Sequence, residues 1–136
     1  MTVRTHLEFR ANYAKAVSME PEPGGKDVMA FLASGIRQAG ILVGEPVPED
    51  WGWSCALDTG GFRILLGCGD YPEYEDGWLC FVAPRKSLRL LFRARAAGQA
   101  LRSAAHAMHS AVAANPRCHD RKWWSDTSGV GEVEEC

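Results

Sequence analysis

Three apolar segments follow one another closely in the middle of the chain, and their spacing constrains the fold more than any other feature. In the first two, apolar residues alternate with other residues, a period of two that is typical of strands with one buried face. A turn at 58–61, with the sequence Asp-Thr-Gly-Gly, separates them and predicts a hairpin. The third segment, 78–82, is apolar on both faces and predicts a central strand of a meander. The alternating positions are Trp51, Trp53, Cys55 and Leu57, then Phe62, Ile64, Leu66 and Cys68.

Elements on either side of this meander complete the predicted fold. Apolar residues alternate again over 7–13, and helical periodicity over 26–39 ends at Gly40, where a left-handed cap is usual. A second helical pattern runs from Ala97 to Val112, and 122–125 predicts a short last strand. The order β-α-β-β-β-α-β predicts an α+β fold, a two-layer sandwich with a mainly antiparallel sheet and two helices on one face.

Size and composition indicate one globular domain over residues 1–136, with a flexible acidic tail from about 128. Hydrophobic residues make up 46% and charged residues 24%, which is average for globular proteins. No apolar stretch approaches the roughly 20 residues of a membrane span, and the first residues lack a secretory signal pattern, so we expect a cytoplasmic protein. Five cysteines at irregular spacing, with no C-x-x-C pair, predict reduced thiols.

Charge is divided between two parts of the chain. Between Gln38 and Pro84 there are eight acidic residues and one base, Arg63, whereas the stretch from Arg85 to His119 has seven bases and no acid. The net charge of -2 therefore conceals an acidic block and a basic block of similar size. Such asymmetry bears on association and partner choice rather than on the fold.

The loop at 70–76 combines aromatic and acidic side chains immediately before the third apolar segment. Aromatic rings supply contact area and carboxylates supply orientation, a combination suited to binding a basic partner. The alternative is a solvated hairpin loop whose tyrosines pack on their own strands, although loops on a rigid sheet often carry function. The predicted partner-binding residues are Asp70, Tyr71, Glu73, Tyr74, Glu75, Asp76 and Trp78.

A secondary basic patch comprises Arg85, Lys86, Arg89 and Arg93. Arginine side chains match phosphate groups, but the patch has one aromatic neighbour, Phe92, and the chain is acidic overall. We therefore do not predict nucleic-acid binding. Complementary patches on one chain favour pairing with its own acids or with those of a second copy, so a homodimer is a candidate assembly.

No motif organises a catalytic, nucleotide or metal site. Residues 24–26, Gly-Gly-Lys before a helix, lack the spacing of a phosphate-binding loop, and no signature joins a nucleophile to a histidine and an acid. His106 and His109 lie three apart on the second helix, near Cys118 and His119, and these residue types are able to hold zinc. Helical angles place both histidines on the polar flank, which favours two solvated residues. We expect no metal and no cofactor, and the convergence of these four residues is left open.

Three short segments together resemble a pattern found in small uncharacterised bacterial proteins. They are Glu49-Asp-Trp-Gly-Trp53, Gly67-Cys-Gly-Asp-Tyr71 and Asp76-Gly-Trp-Leu-Cys-Phe-Val-Ala-Pro84, which span about the central quarter of the chain. The chain is more loosely similar to the compact α+β proteins that bacteria use as immunity partners for toxins. The resemblance implies a bacterial, cytoplasmic protein and assigns no catalytic residue.

These observations favour a non-enzymatic protein-binding module of the immunity or inhibitor type, which holds a basic protein through the loop 70–76. The alternative is a small enzyme or ligand-binding domain whose pocket lies on the open sheet face, lined by Trp51, Trp53 or Trp78. A deep pocket holding a polar group with a perturbed pKa would favour the alternative. A flat or convex acidic surface would favour binding.

Overall fold

Two helices pack on one face of an eight-stranded sheet in the part of the chain that the structure describes. The computed structural model describes residues 4–14, 24–84, 94–124 and 134–135. The predicted α+β sandwich is confirmed. The elements in chain order are β1 (His6–Arg10), α1 (Lys26–Gln38), β2 (Leu42–Val43), β3 (Val47–Glu49), β4 (Gly52–Thr59), β5 (Phe62–Asp70), β6 (Gly77–Pro84), α2 (Ala94–Ala114), β7 (His119–Trp124) and β8 (Glu134–Glu135).

The sheet has the strand order β2-β4-β5-β6-β1-β7-β8, and β3 also pairs with β4. Every recorded pairing is antiparallel, and β4, β5 and β6 form the predicted meander. The first strand of the chain lies inside the sheet, where Leu7 is opposite Cys80 of β6 on one side and Trp123 of β7 on the other. Leu7 is buried because strands flank it on both sides and helices cover its face.

The β4–β5 hairpin is closed by the turn that the sequence predicts. Thr59 pairs with Phe62, and the two residues between them, Gly60 and Gly61, have φ angles of 61° and 79°. Two consecutive residues with positive φ match the right-handed twist of the flanking strands, and glycine adopts this conformation without a steric penalty. The turn therefore sets the register of β4 and β5.

The helices contact each other through one very close approach. A Cβ atom added at Gly35 of α1 would lie 2.6 Å from the Cβ of Ala111 and 3.2 Å from its Cα. Small residues on both helices therefore let the two backbones pack closely. The predicted cap at Gly40 is also confirmed, with a φ of 88°.

The core lies between the helices and the sheet and contains the strand cysteines. Cys55, Cys68, Cys80 and Cys118 are buried free thiols, which agrees with the buried face that alternation predicts for Cys55 and Cys68. Burial raises the pKa of Cys68 to about 12 and that of Cys55 to about 11. Thiols with such pKa values stay protonated near neutral pH and pack as small apolar groups.

Several details differ from the sequence interpretation. Trp51 does not share the buried face of Trp53, because β4 begins only at Gly52 and the Trp51 side chain is 46% exposed. A Cβ at Gly52 would lie 2.1 Å from the carbonyl oxygen of Cys68. The backbones of β4 and β5 are therefore so close at this point that only glycine fits. The predicted flexible tail lies largely outside the described residues, and its Glu134–Glu135 pairs with β7.

Candidate functional site

The predicted loop is a tightly bonded hairpin between β5 and β6. Backbone hydrogen bonds run from Tyr71 N–H to the carbonyl of Gly77 (3.0 Å), from Gly77 N–H to that of Tyr74 (3.1 Å), and from Tyr74 N–H to that of Tyr71 (3.4 Å). A Cβ at Gly77 would lie 2.4 Å from the backbone carbonyl oxygen of Tyr71. Only glycine at this position leaves room for the hairpin to close. The loop therefore has a defined backbone conformation of its own.

Arg10, at the end of β1, attaches this loop to the sheet. Its Nε donates a hydrogen bond to Oδ1 of Asp76 at 2.8 Å, and its Nη1 lies 3.7 Å from Oδ2 of Asp120. The guanidinium carbon lies 4.5 Å from the centre of the Tyr74 ring, in cation–π geometry. The hydrogen bond from Arg10 lowers the pKa of Asp76, because it stabilises the charged carboxylate. One predicted partner-binding acid is thus already paired within the chain.

His119 and Asp120 extend this cluster from the start of β7. The Nδ1 of His119 lies 3.1 Å from Oδ2 of Asp120, and its Nε2 lies 3.8 Å from Oδ2 of Asp76. Asp120 has a φ of 54°, a left-handed conformation that is uncommon for a residue other than glycine. The β1–β7 register also shifts between Glu8 and Arg10. This bulge and the unusual backbone conformation of Asp120 bring the side chains of His119 and Asp120 towards Arg10.

The charge of Glu8, on the sheet face that carries no helix, acts on the hydroxyl of Tyr71 in the loop. Glu8, at the centre of β1, is only 3% exposed. Burial, followed by the charge of Glu8, raises the pKa of Tyr71 to about 12. Lys122 of β7 is directly opposite Glu8 in the antiparallel register. The Tyr71 hydroxyl therefore stays protonated and uncharged near neutral pH.

The predicted site residues separate into three groups by exposure. Asp70, Glu73 and Glu75 are exposed, the tyrosines and Asp76 are half-buried, and Trp78 is completely buried. Trp78, which the sequence placed among the partner-binding residues, presents no surface to a partner, because its ring fills the core. Its Nε1 donates to the carbonyl of Ala11 at 3.0 Å. The predicted basic patch, Arg85, Lys86, Arg89 and Arg93, lies outside the described residues.

The Trp-lined pocket of the alternative interpretation is not formed as predicted. Trp53 and Trp78 are 3% and 0% exposed and lie in the core under α1. Their burial against the helix is tight, since a Cβ at Gly25 would lie 3.1 Å from the Trp78 ring. Trp51 alone of the three lies on the open face, where its ring is 5.4 Å from that of Phe81.

The four candidate metal ligands do not converge. Within the described residues, no group of three or more histidine, cysteine or acidic side chains has the spacing of a metal site. His106 is exposed, whereas His109 packs against the Trp123 ring at 5.7 Å, so the expectation of two solvated histidines holds only for the first. The Nε2 of His109 has no solvent contact and no hydrogen-bond partner among the described residues, and burial lowers the pKa of the ring.

A polar cleft of about 530 Å³ opens beside the Arg10 cluster. It is lined by Glu8, Arg10, Tyr74 and the segment 118–122. Sequence reasoning missed Glu8 and Arg10, although alternation placed both on the outward face of the first strand. The missing information was the pairing of β1 with both β6 and β7, which brings these two charged residues to the middle of the sheet.

Comparison with known proteins found no family model, no curated protein and no solved structure that matches this chain. No helix in the described part of the chain has both the length and the apolar content needed to cross a membrane.

Proposed function

We propose that the chain is a cytoplasmic, non-enzymatic protein-binding module, of the immunity or inhibitor type, that binds a basic protein through the hairpin loop 70–76. The observation that carries this proposal is the contrast between the base and the tip of the loop. At the base, Asp76 is paired with Arg10. At the tip, Glu73 and Glu75 are exposed and form no ion pair within the described residues.

A loop of this kind is suited to binding because it is organised before the partner arrives. Its internal hydrogen bonds and its attachment through Arg10 reduce the conformational entropy lost on association. Exposed carboxylates at the tip steer a basic partner during diffusional encounter. The tyrosines beside them are half-buried, so they supply contact area without exposing two whole rings to water.

The test begins with the tagged chain as bait in a lysate of the host, followed by mass spectrometry. The affinity of the captured protein is then measured by calorimetry at low and high salt, with wild type and with Glu73→Lys combined with Glu75→Lys. We expect a basic partner, binding that weakens with salt, and at least a tenfold loss in the double variant. Unchanged affinity of the double variant would remove the loop from the interface.

A control variant separates the loop from a general effect of net charge. It raises the net charge by as much as the double variant does, but at four exposed positions on the two helices instead of on the loop. The melting temperature of both variants should stay close to that of wild type, because exposed charges contribute little to stability. The control should also retain wild-type affinity. The exposed control positions to be replaced by lysine are Ser34, Gln38, Gln99 and Ser103.

A further inference from the structure

The large apolar side chains that are most exposed among the described residues belong to one face of the sheet. They are Leu42, Val47 and Trp51, which are 72%, 51% and 46% exposed. Leu42 pairs with Asp58 and Val47 with Ser54. Alternation along β4 places Asp58 and Ser54 on the face away from the helices, so Leu42 and Val47 lie there too. An exposed apolar surface that collects on one face is characteristic of an interaction site.

Aromatic rings continue this surface across the sheet. The Trp51 ring lies 5.4 Å from that of Phe81, and the His6 ring stacks on the other side of Phe81 at 5.4 Å. Beneath them, a Cβ at Gly67 would lie 2.3 Å from Cζ of Phe81 and 2.8 Å from Cη2 of Trp51. Glycine at this position leaves the space that both rings occupy against the sheet. The open face therefore carries a row of rings from β1 to the start of β4.

The charges around this surface are of one sign along its outer edge. The segment 42–58 contains four acids, all exposed, and no base. Glu49 is held over the face, because Ser54 Oγ donates a hydrogen bond to its Oε1 at 2.9 Å. On the neighbouring strand β5, the exposed base Arg63 is opposite one of these acids, Asp58, in the antiparallel register. The four acids are Glu45, Glu49, Asp50 and Asp58.

We propose that this open face, from Leu42 across Trp51 and Phe81 to His6, is the docking surface for a basic, apolar segment of a partner protein. The apolar side chains of that segment would cover the rings, and its arginine or lysine side chains would meet the carboxylates at the edge. The inference rests on the proposed function, since the same basic partner would also contact the loop. The loop and this face are joined through the sheet, because the loop connects β5 and β6, the strands that carry Gly67 and Phe81.

Charge favours this occupant over two others. In a symmetric dimer formed through this face, the four-acid edge of one copy would approach that of the other or leave its carboxylates against apolar surface, which is costly. Nucleic-acid bases stack on rings of this kind, but their phosphates would be repelled by the same acids. A partner with cations between apolar side chains satisfies both the rings and the carboxylates.

The test is an NMR amide titration of the full chain with a synthetic peptide of alternating arginine and leucine. Two matched peptides are titrated in parallel, one with glutamate in place of arginine and one with serine in place of leucine. We expect the arginine–leucine peptide to shift amides of β4, β5 and β6 on the open face and to bind at least tenfold more tightly than either control. Combining Leu42→Ser with Trp51→Ser should weaken its binding at least tenfold.

A control variant, Ala30→Ser with Ala113→Ser, changes two exposed positions on the helical layer and should bind as wild type does. Equal binding of the serine peptide, shifts confined to the loop 70–76, or unchanged affinity of the Leu42 and Trp51 variant would each overturn the inference. So would a concentration-dependent dimer whose shifted amides map to this face. If only the Glu73 and Glu75 reversals reduce binding of the natural partner, this inference fails while the proposed function stands. If only the open-face variant reduces it, the proposed loop interface fails instead.

Discussion

Replacing Gly35 by alanine should destabilise the protein, although the same change usually stabilises a helix. In a helix interior, alanine is favoured over glycine by about 1 kcal/mol because it loses less backbone entropy. At Gly35, however, the new Cβ would lie 2.6 Å from the Cβ of Ala111 and 3.2 Å from its Cα. Carbon atoms in normal contact are about 3.5 to 4.0 Å apart. The two helix backbones would therefore have to separate by roughly 1 Å, according to the same contact distances.

The size of the effect follows from these two opposing contributions. Overpacking of a close contact typically costs about 1 to 3 kcal/mol, and here backbone atoms rather than a flexible side chain must move. Because backbone must move, we expect a cost in the upper part of that range, about 2 to 3 kcal/mol. After the gain of about 1 kcal/mol in helix propensity, the net loss in the free energy of unfolding should be about 1 to 2 kcal/mol. A chain of this size loses about 4 °C in melting temperature for each kcal/mol. Urea denaturation and calorimetry measure both quantities directly.

Gly98 in α2 provides a matched control for this prediction. An added Cβ at Gly98 meets no atom within 4 Å, so Gly98→Ala should stabilise the chain by about 0.5 to 1 kcal/mol. Ala111→Gly combined with Gly35→Ala should be more stable than the sum of the single changes by about 1 kcal/mol or more, because it restores the missing space. If Gly35→Ala stabilised the protein as Gly98→Ala does, or if the double variant were additive, the close helix contact would not limit the packing.

Two further predictions concern the loop and the half-buried His109. Arg10→Met removes the hydrogen bond to Asp76, so the amide hydrogen of Gly77 in the hairpin should exchange with solvent faster than in wild type. Equal exchange rates in the two proteins would mean that the loop is stable without Arg10. Burial, and then the charge of Arg121, lowers the folded-state pKa of His109 below its ordinary value of 6.5. The contribution of His109 to stability is therefore present above pH 6.5 and is lost as the pH falls through the folded-state pKa. When the pH is lowered from about 7.5 to about 5, the melting temperature should fall less steeply in His109→Gln than in wild type. Parallel slopes would contradict the assignment.

The fold class was within reach of the sequence because its signals are local. Alternation over β4 and β5, the Gly60–Gly61 turn and the left-handed cap at Gly40 each depend on a few neighbouring residues, and each appears as predicted. Alternation predicted the wrong face for Trp51. The glycine that follows it begins β4, and at this glycine the backbones of β4 and β5 are too close for any side chain. Local patterns report which face a residue occupies only while the strand continues without interruption.

The candidate site, in contrast, depends on contacts between distant parts of the chain. The loop 70–76 was identified from its composition, but composition does not show that Asp76 is paired with Arg10 while Glu73 and Glu75 are exposed at the tip. That distinction follows from β1 entering the sheet between β6 and β7, a pairing across more than sixty residues. The same pairing brings His6 onto Phe81 and so completes the aromatic row. Only the tertiary structure decides these contacts. The free energy of packing the whole sheet selects which strands become neighbours, and no short sequence pattern determines that choice.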